Sequence, residues 1–335
     1  MLKLSHKVII FGPWVGEFTF EISWWAPEIR LLRNTKYKDY KAIHVGYIGR
    51  HGIYKDFVDE YIPFTQELHD SIDSPDCYLV RNEDDERSGI QMPRNIWSFY
   101  EDLVNNYKQR LYMVETYTPM DNPIDFNIGR AQNPIGEYRH LSTTTEVDMR
   151  VKTELQQRFD NDRDIIAINA RSRYRRDEDE SGNFSSDGED WNPDHWKIFI
   201  DRIINEMKLN VALFGIPRRG LYPGSLDMKQ NSYLKSFVSE GKDSVDYQLA
   251  LLKNTKCSIY GATGAVTLAF FANTPVFTQQ SKDNGNRLNF EWQRKLTDNH
   301  KNVRIFDKYP MGQVYFSPVD ELFQEFKKFY KWLGR

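Results

Sequence analysis

The stretch that decides the fold is Cys257–Gln280, CSIYGATGAVTLAFFANTPVFTQQ. It opens with the apolar run Cys257–Tyr260 and continues through a glycine-rich turn, Gly261-Ala262-Thr263-Gly264. An apolar, helix-like segment follows at Ala265–Ala272, and a second apolar run at Pro275–Phe277. The pattern predicts a strand, a glycine turn, a helix and a second strand.

The turn in this stretch is a candidate site for a phosphorylated ligand. Backbone N–H groups at a helix N-terminus attract anions. Small residues let a phosphate approach the main chain without meeting a Cβ atom. The stretch alone leaves open a second interpretation, an ordinary βαβ turn without a ligand.

Composition narrows the class of protein. The chain has 335 residues, of which 40% are hydrophobic and 28% charged, so we expect a globular protein of two domains. The net charge of −3 provides no overall basic field for nucleic acid. No apolar run approaches the roughly 18 residues of a membrane span, and the first apolar run is too short for a signal peptide. We therefore expect no membrane insertion.

The two cysteines, Cys77 and Cys257, are far apart and each lies in an apolar run. This usage favours a reducing compartment without a disulfide framework, and so a cytoplasmic location.

The first half alternates strand and helix patterns. Strands are predicted at 7–11 and 42–48, a helix at 21–33 interrupted by Pro27, and a long helix at 96–115. A segment rich in Pro, Asn, Gly and Thr, 116–145, follows as a predicted loop. We place the domain boundary near residue 150, which gives a first domain of residues 1–150.

The second half repeats the alternation more regularly. Strands are predicted at 165–170, 210–214 and 303–306, and a helix begins at Asn192-Pro193. The fold class is therefore α/β, with two doubly wound, Rossmann-like domains facing a cleft. The second domain spans residues 151–316, and residues 317–335 form a terminal helix, with a return to the first domain as one option.

Two further segments follow strands of the second half, where doubly wound sheets bind ligands. Arg171, Arg173 and Arg175 come directly after one strand, and guanidinium groups pair phosphate oxygens bidentately. Solvation, or pairing with the acidic run 177–180, is the alternative. Phe214 and Gly215 end the next strand, where a bend and bare backbone would admit a nucleobase.

The order of these features resembles the nucleotide-sugar-binding domain of GT-B glycosyltransferases, the heptosyltransferase-like and fucosyltransferase-like groups in particular. The resemblance covers roughly residues 165–280. It implies a nucleotide-diphosphate sugar as co-substrate, most simply a UDP-sugar, without a further cofactor. It implies diphosphate contacts from Arg171, Arg173, Arg175, Gly261, Thr263, Gly264 and Ala265, and nucleobase or ribose contacts from Phe214, Gly215, Tyr260 and Thr267. One departure is that 264–269 contains no Glu of the kind that holds the ribose in many members.

The loop after the first predicted strand is the candidate acceptor site. In GT-B enzymes resembling this one it often supplies the general base, which implies Glu17, or Glu21 four residues later. Helix capping is the structural alternative for either residue. The neighbouring Trp14, Gly16, Phe18 and Phe20 are expected to bind the acceptor, or to be core, and core is the favoured interpretation for Trp24 and Trp25.

Metal chemistry is not expected. Asp160-Asn161-Asp162 has the Asp-x-Asp form of metal-dependent transferases, but it precedes a predicted strand, so we interpret it as a solvated loop. The histidines show no ligand spacing.

The sequence thus predicts a metal-independent, inverting glycosyltransferase. Its resemblance in size to compact bacteriophage DNA glycosyltransferases favours a 5-hydroxymethylated pyrimidine in DNA as the acceptor, with basic residues such as Arg139, His140 and Lys152 on the phosphates. A growing glycan is the alternative acceptor. A binding protein without catalysis, or a GT-B-like epimerase, is the alternative outside this class.

Overall fold

The structure is a computed structural model. It describes residues 7–16, 18–72, 80–81, 92–110, 113–121, 124–125, 136–170, 191–215, 228–238, 244–261, 263–282, 296, 302–310 and 313–334. Contacts divide the chain into two compact units, residues 1–139 with 241–245, and residues 140–240 with 246–335.

The first unit is built on a four-stranded parallel sheet of order β3-β2-β1-β5. Its strands are β1 (Lys7–Phe11), β2 (Lys41–Gly46), β3 (Glu60–Pro63) and β5 (Met113–Tyr117). A separate two-stranded parallel pair consists of β4 (Val80–Arg81) and β6 (Ile124–Asp125). The apolar residues of β1 are fully buried, as a central parallel strand covered on both faces requires.

The segment after β1 is helical through three consecutive elements. These are α1 (Phe18–Phe20), a π-helical turn (Glu21–Trp25) and α2 (Ala26–Asn34). The predicted interruption at Pro27 does not occur, because Pro27 lies in the first turn of α2, where a missing N–H costs little. The irregularity is the π-turn just before it.

The predicted helix 96–115 is wrong at its C-terminal end. The first unit's remaining helices are α3 (Gln66–Ser71) and α4 (Arg94–Gln109), and Met113–Tyr117 is strand β5. Each residue of β1 pairs with one of β5, from Lys7 with Met113 to Phe11 with Tyr117. The backbone hydrogen bonds between Met113–Tyr117 and β1 thus make this segment a strand, although its apolar residues have helical spacing.

The second unit contains a six-stranded parallel sheet of order β12-β11-β10-β7-β8-β9. Its strands are β7 (Ile165–Asn169), β8 (Asn210–Gly215), β9 (Leu234–Val238), β10 (Cys257–Tyr260), β11 (Val276–Gln279) and β12 (Val303–Phe306). Two parallel sheets connected through helices confirm the α/β fold class.

Helices in this half of the chain are α5 (Thr145–Phe159), α6 (Pro193–Asn205), α7 (Ser244–Lys253), α8 (Val266–Phe271) and α9 (Val319–Leu333). The predicted start of α6 is confirmed, since the Asn192 side chain accepts the N–H of Asp194 and Pro193 occupies the first turn. The terminal helix α9 places Leu322, Phe326 and Phe329 in the core of the second unit, together with Trp196 and Phe199 of α6. Its apolar face is thus used within that unit.

Candidate functional site

The glycine turn lies where the sequence predicts it, between β10 and α8. The Thr263 hydroxyl accepts the N–H of Ala265 at 3.2 Å. The N–H of Val266 donates to Thr263 O and that of Thr267 to Gly264 O, at 3.2 and 3.1 Å. Among the described residues, no hydrogen bond uses the N–H groups of Thr263 and Gly264. Within the described part of the turn, these two groups are therefore available for an anion.

A transverse row of side chains crosses four neighbouring strands at their carboxyl ends. Asn169 of β7 pairs with Tyr260 of β10, which pairs with Thr278 of β11. On the other side, the Asn169 Nδ2 group donates to Phe214 O of β8 at 3.2 Å. The oxygen of the same amide, Oδ1, is buried without a partner in the described part of the chain.

Three residues predicted to contact a nucleobase or ribose are enclosed by the second unit. Phe214, Tyr260 and Thr267 are each at most 1% exposed, and the rings of Phe214 and Tyr260 meet edge to face at 5.6 Å. Burial raises the pKa of Tyr260. These side chains are buried in the second unit near the ends of their elements, and their predicted contacts with a nucleobase or ribose stay predictions. Gly215 is the last residue of β8, as predicted.

The predicted diphosphate-binding arginines, Arg171, Arg173 and Arg175, follow β7 directly in the chain. They lie outside the described residues, and so does the predicted base Glu17. Their assignments stay predictions.

In the first unit, the chain turns sharply after β1. Gly12 has φ of +107°, and a Cβ at this position would lie 2.6 Å from Val45 O. The close approach lets Trp14 N donate to the same Val45 O at 3.1 Å. Glycine is therefore required here both by conformation and by space.

The aromatic residues after this turn have different roles. Trp14 is fully buried, stacks on Trp25 at 5.6 Å between ring centroids, and donates its indole N–H to Gly16 O. This burial agrees with the core alternative for Trp14. Phe18 and Phe20 are half-buried, and the Arg50 guanidinium lies 4.5 Å from the Phe18 ring centroid.

Glu21, the alternative base, is enclosed in the first unit with no exposed surface. One carboxylate oxygen accepts the hydroxyl of Tyr54 at 2.8 Å, and the other forms an ion pair with Arg50. Desolvation raises the pKa of Glu21, and Arg50 and Tyr54 counteract part of that rise. Both carboxylate oxygens of Glu21 are thus engaged inside the first unit, and its assignment as the alternative base stays a prediction.

The sequence interpretation missed His44 and its neighbours. His44 lies in β2, fully buried, and its Nε2 accepts the indole N–H of Trp25 at 2.9 Å. Its ring stacks on Tyr54 at 3.7 Å between centroids. Burial lowers the pKa of His44 well below its ordinary value. A histidine inside the apolar run Ala42–Val45 was the available signal. The burial of Trp25 confirms its interpretation as core.

The Asp160-Asn161-Asp162 segment is a turn at the end of α5. Asp160 is left-handed, with φ of 42°, and caps the helix. The Asn161 Oδ1 accepts from Arg163 N and from the Asn210 side chain. Within the described residues no group of three or more His, Cys, Asp or Glu side chains is arranged to hold a metal ion. In the same part of the chain, no helix combines the length and apolarity needed to cross a bilayer.

Two of the basic residues expected to contact DNA phosphates are engaged within the protein. Arg139 forms an ion pair with Glu137, and the His140 Nε2 lies 2.6 Å from Leu296 O.

No protein-family model and no curated protein matches this sequence. Among solved structures, the chain is similar to the ADP-heptose LPS heptosyltransferase II of E. coli, with a TM-score of 0.56 at 12% identity over 98% of this chain and 100% of that one. It is also similar to a glycosyl transferase family 9 protein from Veillonella parvula DSM 2008, with a TM-score of 0.54 at 10% identity over 98% and 99%. A third similarity is to the E. coli heptosyltransferase WaaC with ADP, with a TM-score of 0.51 at 12% identity over 96% and 99%. At this level of identity the similarity concerns the fold, and the fold of this chain is that of GT-B glycosyltransferases, with two Rossmann-like domains.

Proposed function

We propose that this protein is a glycosyltransferase that moves a sugar from a nucleotide-diphosphate sugar to a hydroxyl group of a growing glycan. The observation that carries the proposal is the turn between β10 and α8. In a GT-B fold, this turn offers the N–H groups of Thr263 and Gly264 at the carboxyl edge of the second sheet.

The donor diphosphate is assigned to this turn together with Arg171, Arg173 and Arg175. Cationic and dipolar groups stabilise the charge that develops on a leaving diphosphate, and the proposal uses no metal ion for this purpose. A UDP-sugar is the donor expected from the sequence. ADP-heptose is the donor named for the E. coli heptosyltransferase II, so ADP-sugars belong in the same screen.

The proposed reaction is a direct displacement with inversion. The Glu17 carboxylate accepts the proton of the acceptor hydroxyl as its oxygen attacks the anomeric carbon. The bond from that carbon to the diphosphate oxygen breaks, and the nucleoside diphosphate leaves with the electron pair. The products of the step are the new glycosidic bond, the free nucleoside diphosphate and protonated Glu17.

A glycan is favoured as acceptor over DNA. Lipopolysaccharide is named for the E. coli neighbour, and Arg139 and His140 are engaged within the protein. Acceptor binding that weakens steeply with salt would instead support a nucleic acid.

Donor binding and the Glu17→Gln variant test the proposal together. A matching nucleotide sugar at 100 times its Kd should stabilise the folded protein by about 2.7 kcal/mol, measured as a thermal shift. Glu17→Gln should keep that shift and lose about 10²- to 10⁴-fold in turnover, measured as nucleoside diphosphate release.

If Glu17 caps a helix instead, the variant should lose about 1 kcal/mol of stability and keep its turnover. If no UDP-, ADP-, GDP- or CMP-sugar shifts the melting temperature, the glycosyltransferase proposal is wrong.

A further inference from the structure

The residues that flank Glu17 in the chain are held by three separate contacts. The Trp14 indole donates to Gly16 O at 3.1 Å, and the Tyr47 hydroxyl donates to Val15 O at 2.9 Å. On the other side of Glu17, Phe18 lies under the Arg50 guanidinium. Gly16 and Phe18 are the neighbours of Glu17 in the sequence.

Arg50 links two of these anchors. Its guanidinium carbon lies 4.5 Å from the Phe18 ring centroid and 5.1 Å from that of Tyr47. A planar, weakly hydrated cation suits such a position between two rings better than the compact ammonium of lysine. Arg50 thus contacts Phe18, which follows Glu17, and Tyr47, which is hydrogen-bonded to Val15 before Glu17.

Arg50 is in turn fixed by Glu21. Its side chain is only 14% exposed and pairs with a carboxylate that has no exposed surface. The second oxygen of that carboxylate is occupied by the Tyr54 hydroxyl. A buried carboxylate cannot lose its cation without a large desolvation cost, so the pair holds Arg50 in one place.

We propose that Arg50 is a positioning residue that, held by Glu21, fixes Phe18 at the start of the first helix and thereby sets the Glu17 carboxylate for proton transfer. The part that concerns Glu17 rests on the proposed function, whereas the ordering of the segment does not. The pair also gives a role to Glu21, which the proposed reaction does not use as a base.

The first unit offers a matched control in Arg30. Its side chain is 1% exposed, pairs with Asp56 through two hydrogen bonds of 3.1 Å, and lies 4.6 Å from the Phe57 ring centroid. Arg30 therefore repeats the ion pair and the ring contact of Arg50 without contacting the residues around Glu17. Arg50→Lys and Arg30→Lys each keep the charge and lose the planar group.

The first measurement is amide hydrogen exchange of the peptide covering residues 12–25. Arg50→Lys should lose protection there, whereas Arg30→Lys should keep the wild-type protection. The second measurement is steady-state kinetics with the donor found by the thermal-shift screen. Arg50→Lys should lower kcat by about 10- to 100-fold at unchanged donor KM, because misplacing a catalytic group slows chemistry without weakening donor binding. Arg30→Lys should leave kcat near the wild-type value.

Glu21→Gln provides a second variant in case Arg50→Lys does not fold. The amide still accepts the Tyr54 hydroxyl but removes the charge that holds Arg50, so it should reproduce both effects. A direct role of Glu21 as base would lower kcat and leave the exchange of residues 12–25 unchanged.

Unchanged protection in both variants would overturn the positioning role, whatever the activity. Lost protection with wild-type kcat, or an equal fall of kcat in Arg30→Lys, would overturn the connection to Glu17. Lost protection in a protein that transfers no sugar would keep the positioning role and refute the proposed function.

Discussion

Glu21 and His44 are two enclosed ionisable residues that share one neighbour, Tyr54. The hydroxyl of Tyr54 donates to Glu21, and its ring stacks on His44. Burial raises the pKa of Glu21 and lowers that of His44, so both shifts favour the uncharged form. Arg50 compensates the charge of Glu21, whereas His44 has no carboxylate among its described hydrogen-bond partners.

This difference predicts a pH-dependent stability that belongs to His44. Its Nε2 accepts a hydrogen bond from Trp25, so the ring is neutral in the folded protein, and its folded pKa lies well below the unfolded value of about 6.5. The unfolded chain therefore binds the proton first, and stability falls as the pH drops below about 6.5. The loss from His44 between pH 7.5 and 5.5 should be about 1.4 kcal/mol, measured by urea unfolding.

His44→Gln is the matched variant, because the Gln oxygen accepts the Trp25 N–H at every pH. The other histidines titrate in both proteins, so the contribution of His44 is the difference between their two pH profiles. If wild type and variant lose the same stability over this interval, the assignment to His44 is wrong.

At the scale of elements, the segment β10–turn–α8–β11 shows which features a sequence pattern can predict and which it cannot. The apolar runs and the glycines predicted the order of strand, turn, helix and strand, because each of these depends on neighbouring residues. The helix is one residue shorter at each end than predicted, and the second strand, Val276–Gln279, extends two residues beyond the predicted run. The hydrogen bond of the Thr263 hydroxyl did not follow from the pattern. This hydroxyl accepts the N–H of Ala265, so among the described residues the N–H groups of Thr263 and Gly264 are the ones without a hydrogen bond in this turn.

The arginines that follow β7 in the sequence give a second prediction about diphosphate binding. Arg171→Ala and Arg173→Ala each remove one charge-assisted contact to a diphosphate and leave the strand core unchanged. The stronger of the two should weaken nucleotide binding by about 1.5–3 kcal/mol, measured by titration calorimetry. The control is Arg163→Ala, since Arg163 precedes β7 and lies over the Tyr233 ring at 3.7 Å. Nucleotide affinity that is the same in all three variants would refute the diphosphate assignment.

At the scale of the whole molecule, the alternation of strands and helices predicted the α/β class. It did not predict which strands pair or which distant side chains contact each other. Met113–Tyr117 continues the apolar spacing of the preceding helix, and only its place beside β1 makes it a strand. Glu21 and Arg50 are 29 positions apart, and His44 and Trp25 are 19 apart. The sequence shows such residues one at a time, whereas their chemistry depends on the fold that brings them together.

The positions of Asp160 and Asp162 relative to the second sheet bear on the effect that EDTA should have on sugar transfer. Because the strands of the second sheet are parallel, Asp160 and Asp162, which precede β7, belong to its amino edge, whereas the glycine turn follows β10 at its carboxyl edge. Asp160 and Asp162 are therefore at the wrong edge to support a diphosphate bound at the turn. Since the proposal assigns that charge to arginines and backbone N–H groups, transfer should survive EDTA, measured as nucleoside diphosphate release.

Asp160→Asn is the variant that separates the two possible results. Asn tolerates the left-handed conformation at this helix cap, so the variant should fold and keep its turnover. Loss of transfer in EDTA, restored by Mn²⁺ or Mg²⁺ in the wild type but not in Asp160→Asn, would place a metal on the Asp-x-Asp segment. Loss restored in both proteins would place the metal elsewhere in the chain. In either case, the arginines would no longer be sufficient to account for the departure of the diphosphate.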